Sequence, residues 1–135
     1  YSIDYEFFKG GKDRTRRSFN PDFFIYIDIN NYINRLTSEN PEINVSELLK
    51  LQDSGKTKII KSVEIKSDDD KTEVTNAKMR SGKAHFESLN KVLESFNPID
   101  IEEEYRNDLK THYTFDLLTP EMYTKWFADL RNGKV

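Results

Sequence analysis

Ser62-Val63-Glu64-Ile65-Lys66-Ser67 is the stretch on which the reading of the fold turns. Apolar Val63 and Ile65 alternate with charged Glu64 and Lys66. Side chains two apart in a strand share a face, so Glu64 and Lys66 are expected to project together while Val63 and Ile65 enter the core. A second stretch of this kind is Phe19-Asn20-Pro21-Asp22-Phe23-Phe24-Ile25-Tyr26-Ile27. Pro21 cannot donate to a strand ladder, so it belongs at an edge or a bulge, and a bulge there would aim Asp22 into a site. If the two strands are neighbours, two carboxylates and an ammonium converge. Magnesium takes hard oxygen ligands, keeps several waters and needs only one or two carboxylates. Asp22 and Glu64 meet that requirement, and the Ile65 carbonyl would add a third oxygen. A bound divalent cation neutralises charge developing on a phosphodiester and lowers the pKa of its water. Lys66 beside it would orient that water or stabilise the transition-state charge. The plainer alternative makes Asp22 a turn residue after proline and Lys66 one half of an ion pair.

Upstream, Ser2 to Phe8 alternates Ile3, Tyr5 and Phe7 with Asp4 and Glu6, the pattern of a half-buried strand. Gly10-Gly11 supplies the turn. Lys9, Lys12, Arg14, Arg16 and Arg17 surround it. This cluster is either a solvated hairpin tip or a phosphate-gripping finger in which Lys12, Arg14, Arg16 and Arg17 bind DNA. The second strand is expected over about Arg17 to Ile29. Asn30 to Lys58 reads as a polar insertion, with one short helix over Ser46–Leu51 capped by Asn44 or Ser46.

Downstream, Lys58 to Ser67 is the third strand, and Asp68-Asp69-Asp70 after it reads as a solvated loop. A helix capped by Thr72 or Asp70 should run to about Phe96. Its apolar stripe is Met79, Phe86, Leu89, Leu93 and Phe96. Lys78 falls inside that stripe's arc and His85 on its flank. Lys78 either snorkels past the core edge or reaches the carboxylates, and His85 reads as a flanking, hydrogen-bonded histidine. Asp100 to Lys110 is acidic, a loop or short exposed helix. His112 to Leu118 is the fourth strand. Thr119-Pro120 opens a last helix with Met122, Tyr123, Trp126, Phe127 and Leu130 as its apolar face and Gly133 as its stop.

Pro21-Asp22 followed by Glu64-Ile65-Lys66 resembles the PD-(D/E)xK signature of the restriction-endonuclease-like nuclease superfamily. Asn76-Ala77-Lys78-Met79-Arg80-Ser81-Gly82-Lys83-Ala84-His85-Phe86 is similar to the helix that follows this motif in the restriction subunits of type III restriction enzymes. The resemblance implies an α/β fold with a central mixed β-sheet of about four strands flanked by helices. It implies a Mg²⁺-dependent endodeoxyribonuclease with Asp22, Glu64, Lys66 and Lys78 as catalytic residues and the cation on Asp22, Glu64 and Ile65. Double-stranded DNA would be the substrate. A helicase domain in the same full-length chain and a modification subunit would be partners, in the cytoplasm. The superfamily often adds a glutamate from a helix ahead of the first strand, and the nearest acid here, Glu6, lies in a strand. No Walker loop is visible, so ATP would act only through a motor outside these residues.

The 135 residues suit one domain, 13% aromatic, 33% charged and with a net charge of −3. Stand-alone DNA-binding domains are usually basic, so DNA contact here must be local or shared with partner segments. With no cysteine there is no disulfide, cysteine-zinc site or thiol catalysis. No run approaches membrane length. The chain starts at Tyr1 and enters a strand at once, which reads as a domain cut from a longer protein. Two rival readings stand beside the nuclease. One is a nuclease-like fold that docks DNA or a partner without cutting, and the other a protein-interaction domain with a chance motif.

Overall fold

The computed structural model describes residues 2–9, 13–67 and 72–135. Lys12 and Asp68-Asp69-Asp70 therefore lie outside the described residues. Strands β1 (Ile3–Lys9) and β2 (Asp13–Phe19) form an antiparallel pair with Ile3 opposite Phe19 and Tyr5 opposite Arg17. A separate three-stranded sheet has the order β3-β4-β5, from β3 (Phe23–Asp28), β4 (Lys58–Ile65) and β5 (Thr111–Leu118). β3 runs antiparallel to β4, and β5 runs parallel to it. A parallel pair needs a long crossover, and helix α3 (Glu73–Ser95) supplies it. The fold is mixed α/β, as the alternation predicts, with the strands that bear Asp22 and Glu64 adjacent.

The expected four-stranded sheet is corrected to three strands plus a separate pair. The strand expected over Arg17 to Ile29 is two strands in two sheets. Pro21 has no N–H for a ladder, so pairing with β1 stops at Phe19. Pairing with β4 begins at Asp22, whose N–H donates to the Val63 carbonyl at 2.9 Å.

The segment 30–58 also differs from the insertion with one short helix expected there. It holds α1 (Ile29–Glu39) as well as α2 (Ser46–Asp53). Asp28 caps α1 by accepting from the Asn31 N–H at 2.9 Å. Ile29, Leu36 and Leu48 are buried with Ile59 of β4, with Tyr32 and Ile33 packed against them. Ile29, Tyr32, Ile33 and Leu36 repeat at helical spacing. The four Asn and Arg residues between them mask the pattern. These helices are a layer on the sheet.

The two faces of the sheet carry different cores. Registered neighbours share a face, so Phe24, Ser62 and Phe115 look one way, and Phe23, Val63 and Asp116 the other. On the first face α3 packs against β5 and β1. Ile3, Tyr5, Phe7, Phe19, Ala77, Phe86 and Phe115 form the core there. On the second face lie α1, α2 and α5 (Tyr123–Arg131), which follows a short 3-10 turn at Pro120–Met122. Lys61 is buried on that side, 3.2 Å from Asp116, which also accepts the Trp126 indole N–H at 3.0 Å. That network ties α5 to β5. Met122 and Phe127, expected on the apolar face of the last helix, are exposed. Gly133 ends that helix at φ +78°, where a side chain would be strained.

Helix α3 begins at the Thr72 cap, whose Oγ1 accepts the Thr75 N–H at 3.2 Å. Its buried residues are Thr75, Ala77, Gly82 and Phe86; Phe86 and the half-buried Met79, Leu89 and Leu93 belong to the expected stripe, whereas Phe96 is exposed. Asn90 covers part of β5. Its amide donates to the Tyr113 carbonyl at 2.8 Å and accepts the Tyr113 N–H at 2.9 Å, replacing a strand neighbour. Between α3 and β5 run short 3-10 turns at Pro98–Asp100 and Glu103–Tyr105 and the brief α4 (Arg106–Leu109). Among the described residues no helix is long and apolar enough to cross a membrane.

Candidate active site

The break at Pro21 places Asp22 at the corner where the chain leaves the hairpin and joins the sheet. Two hydrogen bonds fix it to β4. Its N–H donates to the Val63 carbonyl, and its Oδ2 accepts the Ile65 N–H at 2.7 Å. Asp22 thereby spans Glu64, the residue between those two partners. Glu64 is 4% exposed and lies on the α3 face with Ser62 and Leu117. The two carboxyl groups lie close enough for each to shift the ionisation of the other.

Lys78 reaches the same point from α3. Its Nζ is 3.9 Å from Glu64 Oε2 and lies over the rings of Tyr5 and Phe19, at 5.6 and 5.2 Å from their centroids. Lys66 continues the parallel ladder through its N–H to the Leu118 carbonyl at 2.8 Å. Its positive charge helps to lower the Lys78 ammonium, as a like charge close by does. Asp22, Glu64, Lys66 and Lys78 are thus brought together as the sequence predicts. Tyr5 and Phe19 were legible only as core, and the floor they make under Lys78 was not.

The electrostatics are those of a crowded site. Burial and then the neighbouring Asp22 carboxyl push the Glu64 carboxyl up to about 7, against the pull of Lys66 and Lys78. Burial also works to raise Asp22. The Ile65 N–H, the Glu64 carboxyl and the two lysines outweigh it and hold Asp22 below the ordinary carboxylate range. Burial and then the positive charge of Lys66 lower the Lys78 ammonium, opposed by Glu64 and Asp22. Two carboxylates this close resist joint ionisation, and near neutral pH they share a proton.

This donor set fits a hard cation. Among the described residues no third histidine or acid joins Asp22 and Glu64. Two carboxylates and a carbonyl are within what magnesium uses, since it retains waters for its other positions. Asp22, Glu64 and the Ile65 carbonyl are the atoms of this chain that would hold it.

Stability should show the shared proton. Glu64 has its folded pKa raised from the 4.5 of a free side chain to about 7. Its contribution is therefore present below the unfolded pKa and is lost as pH rises through the folded one. Asp22 is shifted the other way, and its share changes only at more acid pH. In chelator, wild-type stability should fall between about pH 5 and pH 7.5. Glu64→Gln should remove that slope and raise stability at neutral pH by on the order of 1–3 kcal/mol. Denaturant melts across this range check it, and parallel wild-type and Glu64→Gln profiles would disprove it.

The remaining candidates lie elsewhere. Glu6 is on the outer face of β1, bonded to Arg14 at 2.6 Å and to Arg16 at 2.6 Å, away from Asp22 and Glu64. Both arginines hold the Glu6 carboxyl below its ordinary range. Arg17 stacks over the Phe7 ring at 5.4 Å. His85 meets the Phe86 ring edge-on at 5.0 Å.

No family model matches the chain, and neither does any curated protein or solved structure.

Proposed function

We propose that these residues form the metal-dependent endonuclease domain of a type III-like restriction enzyme, with a restriction-endonuclease-like fold, cutting phosphodiester bonds in double-stranded DNA. The observation that carries the reading is one arrangement. Asp22 is clipped to the β4 backbone beside the buried Glu64, with Lys78 3.9 Å from Glu64 and Lys66 next to it. A purely structural ion pair would not need two carboxylates forced together in a half-desolvated corner, because burying like charges costs stability. Clusters with pKa values driven apart are typical of working sites.

In hydrolysis a water oxygen forms a bond to phosphorus while the bond to the leaving deoxyribose oxygen breaks. Bound magnesium would neutralise the phosphate and acidify the attacking water. Asp22 and Glu64 contribute oxygens once the shared proton has left. Lys66 and Lys78 are positioned charges for the negative charge that builds on phosphorus. Tyr5 and Phe19 hold Lys78 in place and keep water from it. A helicase domain in the full-length chain, driven by ATP, and a modification subunit complete the proposed assembly in the cytoplasm.

The test is cleavage of duplex DNA by the full-length protein with magnesium and with chelator. Cutting that needs the cation is the expected result. A protein that binds DNA but never cuts it, whichever divalent metal is offered, would instead be a nuclease-like docking domain.

A further inference from the structure

The hairpin arginines divide between the two faces of β1–β2. Successive residues alternate faces, and registered pairs share one. Glu6 opposite Arg16 therefore belongs to the outer face, with Arg14 two residues before Arg16 on the same side, and Tyr5 opposite Arg17 to the face that meets α3. The outer pair is engaged: Arg14 and Arg16 close on the same Glu6 carboxylate. Arg17 shares its face with the catalytic corner. Its guanidinium lies over Phe7, Phe7 stacks on Tyr5 at 6.0 Å, and Tyr5 lies beneath Lys78. One aromatic floor thus carries a cation at each end, and Glu64 adjoins the Lys78 end.

Arg17 also borders an open groove of about 590 Å³ between the hairpin and α3. Ser81 lines the other wall, one helical turn beyond Lys78 on the same side of α3. Asp4, Glu6 and Arg16 border the groove too, but Arg16 is held, with Arg14, on the Glu6 carboxylate. A phosphate entering this groove meets Arg17, and Lys78 stands one helical turn from Ser81 of the α3 wall.

Resting on the endonuclease reading, we infer that Arg17 grips the DNA backbone next to the scissile phosphate and positions the strand over Glu64, while Arg14 and Arg16 serve the hairpin. Guanidinium suits this task because it stays charged and presents a fork of donors to phosphate oxygens. Stacking on Phe7 fixes the plane of that fork before DNA arrives.

The alternative is that Arg17 only packs on Phe7, and the variants separate the two. Arg17→Met keeps an apolar stem on the ring and loses the charge, and Arg17→Lys keeps a charge. Binding of a short duplex oligonucleotide is measured by fluorescence anisotropy in chelator at several salt concentrations, beside magnesium-dependent cleavage by the same full-length proteins. Arg17→Met should bind about tenfold more weakly, with a salt slope shallower by about one. Arg17→Lys should restore the slope, and Arg14→Met and Arg16→Met should leave it unchanged. Equal slopes for Arg17→Met and wild type, in proteins that melt alike, would overturn the inference, as would an equal loss in Arg14→Met or Arg16→Met. If wild type cuts DNA and Arg17→Met binds normally, only this inference fails. If wild type never cuts but its binding depends on Arg17, the grip stands and the endonuclease reading falls. A wild type that neither binds nor cuts removes both.

Discussion

Asp22→Ala and Glu64→Ala are each expected to reduce magnesium-dependent cleavage by the full-length protein to background. Each removes one of the two carboxylates at the site, and among the described residues no third acid or histidine stands by to replace it. Lys66→Ala should behave differently. It removes no oxygen ligand, so magnesium binding should persist while the chemical step slows by about a hundredfold or more, of order 3 kcal/mol. Folding should survive in both carboxylate variants, because removing either carboxylate relieves the crowding that drives Glu64 up to about 7. Asp22→Ala also loses the Oδ2 bond to Ile65, so its stability gain should be the smaller. Single-turnover cleavage, magnesium titration and a thermal melt on each variant separate these effects. Wild-type rates in both Asp22→Ala and Glu64→Ala would place any nuclease activity outside this corner.

The corner was legible in the sequence because its parts are local. Val63-Glu64-Ile65-Lys66 has the period of a strand, and Pro21 announces an interruption just before Asp22. The sheet assignment was harder. Alternation marks Arg17 to Ile29 as extended, but it carries no information on which strand pairs with which, and only Asp22 N–H bonding to Val63 O shows the switch from one sheet to another. Helix α1 stayed hidden because asparagines separate its few apolar residues. The stripe on α3 was incomplete for a related reason. Ala77 and Gly82 are buried contact points, yet small residues add little to an apolar pattern. Lys78 was found because a lysine inside an apolar arc is unusual. The Asn90 clasp on Tyr113 and the Lys61–Asp116 pair join residues 23 and 55 positions apart, and nothing in local spacing announces them. The division of the arginines needs the register of β1 on β2, which the turn alone does not set.

Phe86→Ala should cost about 3–5 kcal/mol, the range for deleting a large buried aromatic. Phe86 is 2% exposed, and its ring stacks at 6.1 Å on Tyr113 and 6.2 Å on Phe115. The neighbours cannot close over the gap, because Phe115 is also held edge-on by Phe19 at 6.0 Å and α3 is already seated on it at Gly82. A Cβ at Gly82 would stand 2.5 Å from the Phe115 ring. Alanine there would gain about 1 kcal/mol of helix propensity on an exposed helix. Here Gly82→Ala should instead destabilise, since overpacking typically costs about 1–3 kcal/mol. Small domains have about 5–15 kcal/mol in total, so Phe86→Ala should remove a large share of the stability. The same change bears on function. α3 positions Lys78 above Glu64, and a loosened helix should lose cleavage activity before it loses secondary structure. Phe127→Ala is the control, because that ring is 52% exposed and its loss should stay within about 0.5 kcal/mol. Urea unfolding of the three variants gives the order directly. A Phe86→Ala midpoint no lower than that of Phe127→Ala would mean that the aromatic layer under α3 does not hold this fold together.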